Sequence, residues 1–180
     1  MPSGSTVYTV DLEIADVDRG VYASESLRLA RHPSEAGDWL VARVLAFALE
    51  YGPDLRFSRG LASGDEPALW RHDPTGRLVD WIEVGTPDAA RLHKASKAAE
   101  SVSVYCHKDP ERWLRSLSGQ RVHQAESIGL FCFDRGLVSA MAAALERRSP
   151  WSVTRTEGVL YVAVGDLTRS APLTELLWPQ

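Results

Sequence analysis

Apolar and polar residues alternate at the start of the chain: Tyr8, Val10, Leu12 and Ile14 against Thr9, Asp11 and Glu13. A period of two predicts a strand with one buried face. The cluster Asp16 to Gly20 turns the chain, and Val21 to Ala30 reads as the return strand of a hairpin. The pattern then changes. From Trp39 to Leu49 apolar residues fall on most sides of a helical projection, which predicts a largely buried helix. Pro33 and Ser34 are start signals for it, with Glu35 in the first turn, where a negative charge is favoured. Gly52-Pro53 ends it.

A short strand, LRFSRGL (55–61), follows. Gly64 onward predicts a second hairpin that turns at Asp73-Pro74-Thr75-Gly76, then a crossover helix from about Pro87 to Glu100. SVSVYC (101–106) and Ser127 to Phe133 read as strands. Asp109 to Leu117 reads as a short helix that begins at Pro110. Asp134 can cap a helix from about Leu137 to Arg147. WSVTRT and VLYVAV form a closing hairpin that turns at Glu157-Gly158. The order predicts an α/β or α+β fold: one domain over residues 1–180, with a central mixed sheet flanked by helices and an N-terminal hairpin.

Composition narrows this picture. At 180 residues and 44% apolar content the chain can bury a substantial core. The net charge of −4 gives no general attraction to nucleic acid, so any such partner needs a local basic face or bridging cations. Cys106 and Cys132 lie in apolar strand-like runs, which predicts buried thiols of a reducing cytoplasm. The first residues have neither a basic region nor an apolar core, so no signal peptide is expected. The longest apolar stretch is too short to cross a membrane.

Candidate chemistry centres on two acids. If Pro74 and Thr75 form a two-residue loop, counting outward places Glu66 directly opposite Glu83. Paired carboxylates repel unless a cation lies between them. Mg²⁺ suits such a pair and would polarise a phosphate or activate a water. A glycine bulge at Gly76 would shift the register by one residue, and a second bulge would restore the shared face. Asp65 takes the place of Glu66 in a shifted register. Both glutamates also read as ordinary solvated strand charges.

Nuclease sites of this type often carry a lysine two residues after the second acid, and here that position is Gly85. Thr86 and Pro87 read as the cap and start of the next helix. Three strand residues beyond Glu83 and seven helical residues back bring Lys94 level with Glu83, at roughly 10 Å in each direction. Lys97 overshoots by one turn and is a second cation to meet substrate. Leu92, Ser96 and Ala99 form one stripe of this helix. Lys94 points nearly opposite, on a stripe of small residues, so it either packs inward or faces solvent. Glu35 is a candidate third acid, or simply a helix-dipole partner. Arg59 can grip phosphate through its planar fork, or pair with Glu66 or Asp65. The five histidines lack metal-ligand spacing and read as surface or capping residues.

The segments RHPSE (31–35), FSRGL (57–61), DEPALW (65–70) and WIEVG (81–85), with the following PD…K helix, resemble the YaeQ family of bacterial proteins over nearly the whole chain. The resemblance implies a PD-(D/E)XK-like, restriction-endonuclease-like core with a variant motif. Glu66 then stands for the first acid, Glu83 for the second, Lys94 for a lysine migrated onto the helix and Glu35 for the helix acid. Glu replaces Asp at the first position and Gly85 replaces the lysine. The expected function is a cytoplasmic Mg²⁺-dependent nuclease, or a nuclease-derived protein, with Glu66 and Glu83 on the metal and Arg59 and Lys97 on the substrate. The alternative is a non-catalytic module on the same fold that binds nucleic acid or protein.

Overall fold

Eleven strands and four α-helices are present among the described residues of the computed structural model, which are 4–59 and 64–180. The α+β class and the mixed strand pairing hold, and the strands divide over two sheets. Two compact units result, Met1–Tyr51 with Asp134–Leu173 and Gly52–Phe133 with Thr174–Gln180.

The first unit is built on β1 (Thr6–Asp16) and β2 (Val21–Arg31), an antiparallel hairpin without a bulge over eleven pairs. β8 (Arg148–Thr156) joins β1 in parallel, and β9 (Val159–Val164) and β10 (Leu167–Pro172) complete the sheet in the order β10-β9-β8-β1-β2. Alternation places Val10, Leu12, Ile14, Trp151, Val153 and Val162 on the buried side. Helices α1 (Gly37–Glu50) and α4 (Arg135–Ala143) pack on each other, and α1 touches β1 and β8.

Helix α1 starts four residues after Pro33, a correction to the expected start. His32 Nδ1 and Ser34 Oγ lie 2.6 Å apart, and the Glu35 amide donates to the His32 carbonyl at 2.9 Å. The start signals therefore form a separate turn, and Glu35 precedes the helix. Leu40 to Leu49 are all buried, Arg43 included.

The second unit holds β3 (Leu55–Phe57), β4 (Leu69–His72), β5 (Leu78–Val84), β6 (Ser101–Cys106), β7 (Gly129–Cys132) and β11 (Thr174–Leu176), in the order β11-β7-β6-β5-β4-β3. β3, β4 and β5 form an antiparallel meander. α2 (Ala89–Ala98) then leads to β6, parallel to β5. α3 (Pro110–Leu117) leads to β7, parallel to β6. Trp81, Leu92, Val102, Val104, Trp113 and Leu130 form the core of this unit. Cys106 and Cys132 are buried thiols, not joined in a disulfide, at partner positions of β6 and β7. His107 is also buried, a correction to its surface reading, because it directly follows the buried end of β6.

The same device starts α2, α3 and α4. Asp88, Asp109 and Asp134 each accept the backbone N–H three residues on, at 2.8, 3.1 and 2.9 Å. Asp88, and not Thr86, therefore caps α2. Part of the expected strand 55–61, including Gly60 and Leu61, lies outside the described residues.

Candidate functional site: an acidic corner closed by arginine

The register between β4 and β5 decides where the acids meet. Asp73 Oδ1 accepts the amides of Thr75 and Arg77 at 2.8 and 3.0 Å, and Gly76 sits at φ +87°. This is the glycine-bulge form of the turn. A second irregularity follows: Arg71 faces Asp80, whereas His72 faces Leu78, so Val79 is extra. Two extra residues on the β5 side move the register by two. Leu69 faces Ile82, so continued counting brings position 68 opposite Glu83. Glu66 lies before β4 begins. The expected direct pairing of Glu66 with Glu83 is corrected on this ground.

Glu83 lies near the end of β5, where Trp81 to Val84 are all buried. Its side chain is 7% exposed. Trp81, two residues earlier on the same face, donates Nε1–H to Glu83 Oε1 at 2.7 Å. Arg91, in the first turn of α2, donates Nε–H to the same oxygen at 2.6 Å. Burial raises the Glu83 pKa above the usual carboxylate value, and the bonds from Trp81 and Arg91 oppose that rise without cancelling it.

Arg91 also binds the segment that carries the other acids. Nη1 donates to the Gly64 carbonyl at 2.5 Å and Nη2 to the Glu66 carbonyl at 2.7 Å. Its guanidinium carbon lies 5.9 Å from the centre of the Trp81 ring. One cation thus joins β5, α2 and the 64–66 segment. Arg91 was not among the expected site residues, although its position one turn before Lys94 was readable from the helix itself.

The other expected site residues have their own partners. Glu66 accepts the Arg59 backbone N–H at 3.2 Å and its Nη2–H at 2.8 Å, and these hydrogen bonds hold its pKa below the usual value. Arg59 itself is 76% exposed. Lys94 pairs with Asp65 at 3.1 Å, both side chains being largely solvated. The buried face of α2 runs through Leu92, Ala95 and Ser96, which leaves Lys94 and Lys97 exposed. Glu35 belongs to the first unit. It is buried there, its carboxylate is 3.3 Å from Arg43 Nη2, and its carbonyl accepts Arg31 Nε–H at 2.9 Å.

Gly85 explains why no lysine follows Glu83 on the strand. Its φ of +117° lies outside what a side-chain-bearing residue tolerates, although no atom crowds the space a Cβ would take. Backbone conformation, and not crowding, excludes lysine there. Nor does the arrangement fit a divalent ion held jointly by Glu66 and Glu83, because each carboxylate already faces an arginine. Among the described residues, no three His, Cys, Asp or Glu side chains gather as metal ligands.

These features define an α+β protein with two mixed sheets, whose second unit carries a nearly buried carboxylate locked to an arginine. The sequence profile of the YaeQ protein family matches residues 1–172, and the chain belongs to that family. It is 32% identical over 164 residues to the YaeQ protein of Escherichia coli strain K12, with 88% of each chain covered. The crystal structure of YaeQ from Pseudomonas syringae superposes with a TM-score of 0.85 at 32% identity, covering 96% of each chain. That from Xanthomonas axonopodis pv. citri gives 0.86 at 32% identity, covering 98% of this chain and all of the other. No helix among the described residues is long and apolar enough to cross a membrane.

Proposed function

We propose that this chain is a nuclease-derived protein with a PD-(D/E)XK-like core that binds nucleic acid without cutting it. The observation that carries this reading is the separate neutralisation of the two acids, Glu83 by Arg91 and Glu66 by Arg59. A metal would have to displace a charge-assisted 2.6 Å bond in a nearly buried setting, where breaking a pair costs several kcal/mol. The β3–β5 meander and the α2 crossover to a parallel β6 support the nuclease-like ancestry. Arg59, Lys94 and Lys97 supply exposed positive charge on this unit, beside the exposed Asp65.

Cleavage and binding assays test the reading together. Single- and double-stranded DNA and RNA with millimolar Mg²⁺ or Mn²⁺ should show no cleavage that disappears in Glu83→Ala. Binding to a labelled single strand should weaken in Arg59→Ala and Lys97→Ala. Three phosphate contacts predict a slope of log K against log salt of about −2. Metal-dependent cleavage lost in Glu83→Ala would establish the second reading, a metal-dependent nuclease. That reading draws its own support from the way Arg91 and Lys94 gather Gly64, Asp65, Glu66 and Glu83 at one corner.

A further inference from the structure

Three oxygen atoms converge on the Arg91 guanidinium: Glu83 Oε1 at 2.6 Å and the carbonyls of Gly64 and Glu66 at 2.5 and 2.7 Å. One is a carboxylate oxygen held in place by Trp81. The other two are backbone carbonyls on either side of Asp65. All are hard oxygen donors, the set that Ca²⁺, Mn²⁺ and Mg²⁺ prefer. The Glu83 side chain is 93% buried, the complement of its 7% exposure.

We infer that Arg91 is a resident cation in a latent divalent-metal site, so that the protein supplies with its own side chain the positive charge a metal would supply. This rests on the non-cutting reading and deepens it. The guanidinium is tethered to its site by its own chain, so its effective concentration there is high. Its planar fork presents several N–H donors to the three oxygens at once. Without Arg91, Glu83 would be a nearly buried carboxylate with no counter-charge, which gives a metal the incentive to enter.

Mn²⁺ binding, read by loss of the free-ion EPR signal, tests the inference. Arg91→Ala and Arg91→Gln should each gain one Mn²⁺ site at least roughly tenfold tighter than any in wild type. The gain should vanish in Arg91→Ala/Glu83→Ala. Arg91→Lys, which keeps the charge, should remain as metal-poor as wild type. Folded Arg91 variants that bind Mn²⁺ no better than wild type would overturn the inference, as would a gain that survives loss of Glu83. Should the variants fail to fold, wild type decides: a Glu83-dependent rise in its melting temperature with Mn²⁺ overturns the inference, and none supports it. Cleavage by wild type would sink the functional reading. Absence of the gain in Arg91 variants would sink only the inference.

Discussion

At the scale of single residues, Glu83 shows what a buried carboxylate costs when its partner is only partly buried. Burial raises its pKa, and the bonds from Trp81 and Arg91 do not fully reverse the effect. Between the unfolded value near 4.5 and the higher folded value, the native state binds more protons than the unfolded one. Stability therefore falls as pH rises through that window. Wild type relative to Glu83→Gln should be most stable near pH 4 and lose ground above pH 4.5. The slope can reach at most about 1.4 kcal/mol per pH unit for one group. Urea unfolding of both proteins from pH 4 to 7 measures it, and a gap that widens in favour of wild type with pH would contradict the assignment. Glu83 itself stood out in the sequence. The residue that faces it across the strands did not, because the count through Asp73–Gly76 could not register the extra Val79, whose bulge depends on tertiary pairing.

At the scale of elements, helix α1 has no basic residue in its last turn. The β1–β2 turn provides one. Arg19 donates from Nη2 to the Ala48 carbonyl at 3.2 Å and from Nη1 to the Tyr51 carbonyl at 3.1 Å. Buried Asp16 holds Arg19 Nε at 2.7 Å and binds Arg155 as well. A cation at the negative end of a helix contributes about 0.3–1 kcal/mol, and the hydrogen bonds add to it. Arg19→Ala should cost roughly 1–2 kcal/mol in urea unfolding. Faster amide exchange should be confined to the α1 C-terminal turn and the β1–β2 turn. An unchanged exchange pattern would show that the helix end does not rely on Arg19. Strong periodicity made β1, β2, β6, β8 and β9 readable, and Pro110 did the same for α3. The strands β10 and β11 escaped notice because LTRSAP and TEL are short, polar edge segments without apolar alternation. Capping chemistry was partly visible: Asp134 was read correctly, Asp109 was read only as the start of its helix, and Thr86 was read as the cap in place of Asp88.

At the scale of the molecule, the first unit takes its strands from both ends of the chain. β1 pairs with β8 from Thr9↔Arg148 to Asp16↔Arg155. A chain ending at Phe133 would leave β1 and β2 with only each other, and an isolated two-stranded hairpin is marginal in water. Amide protection in Thr6–Arg31 should therefore collapse in that truncated protein, while β5 and β6 keep theirs. Retained β1 protection would show that the hairpin and α1 suffice. The division into two sheets was not readable in the order of elements, since nothing local tells β8 to choose β1 over a neighbour of β7.

That parallel pairing also sets a timetable for synthesis on the ribosome. The stretch from Gly52 to Phe133 contains five of the six strands of its sheet and both of its helices, so it can begin to fold as it leaves the exit tunnel. The N-terminal hairpin emerges first, yet it must wait some 139 residues for its partner strand. During that interval the apolar face of a newborn hairpin is open to chaperones and to neighbouring chains.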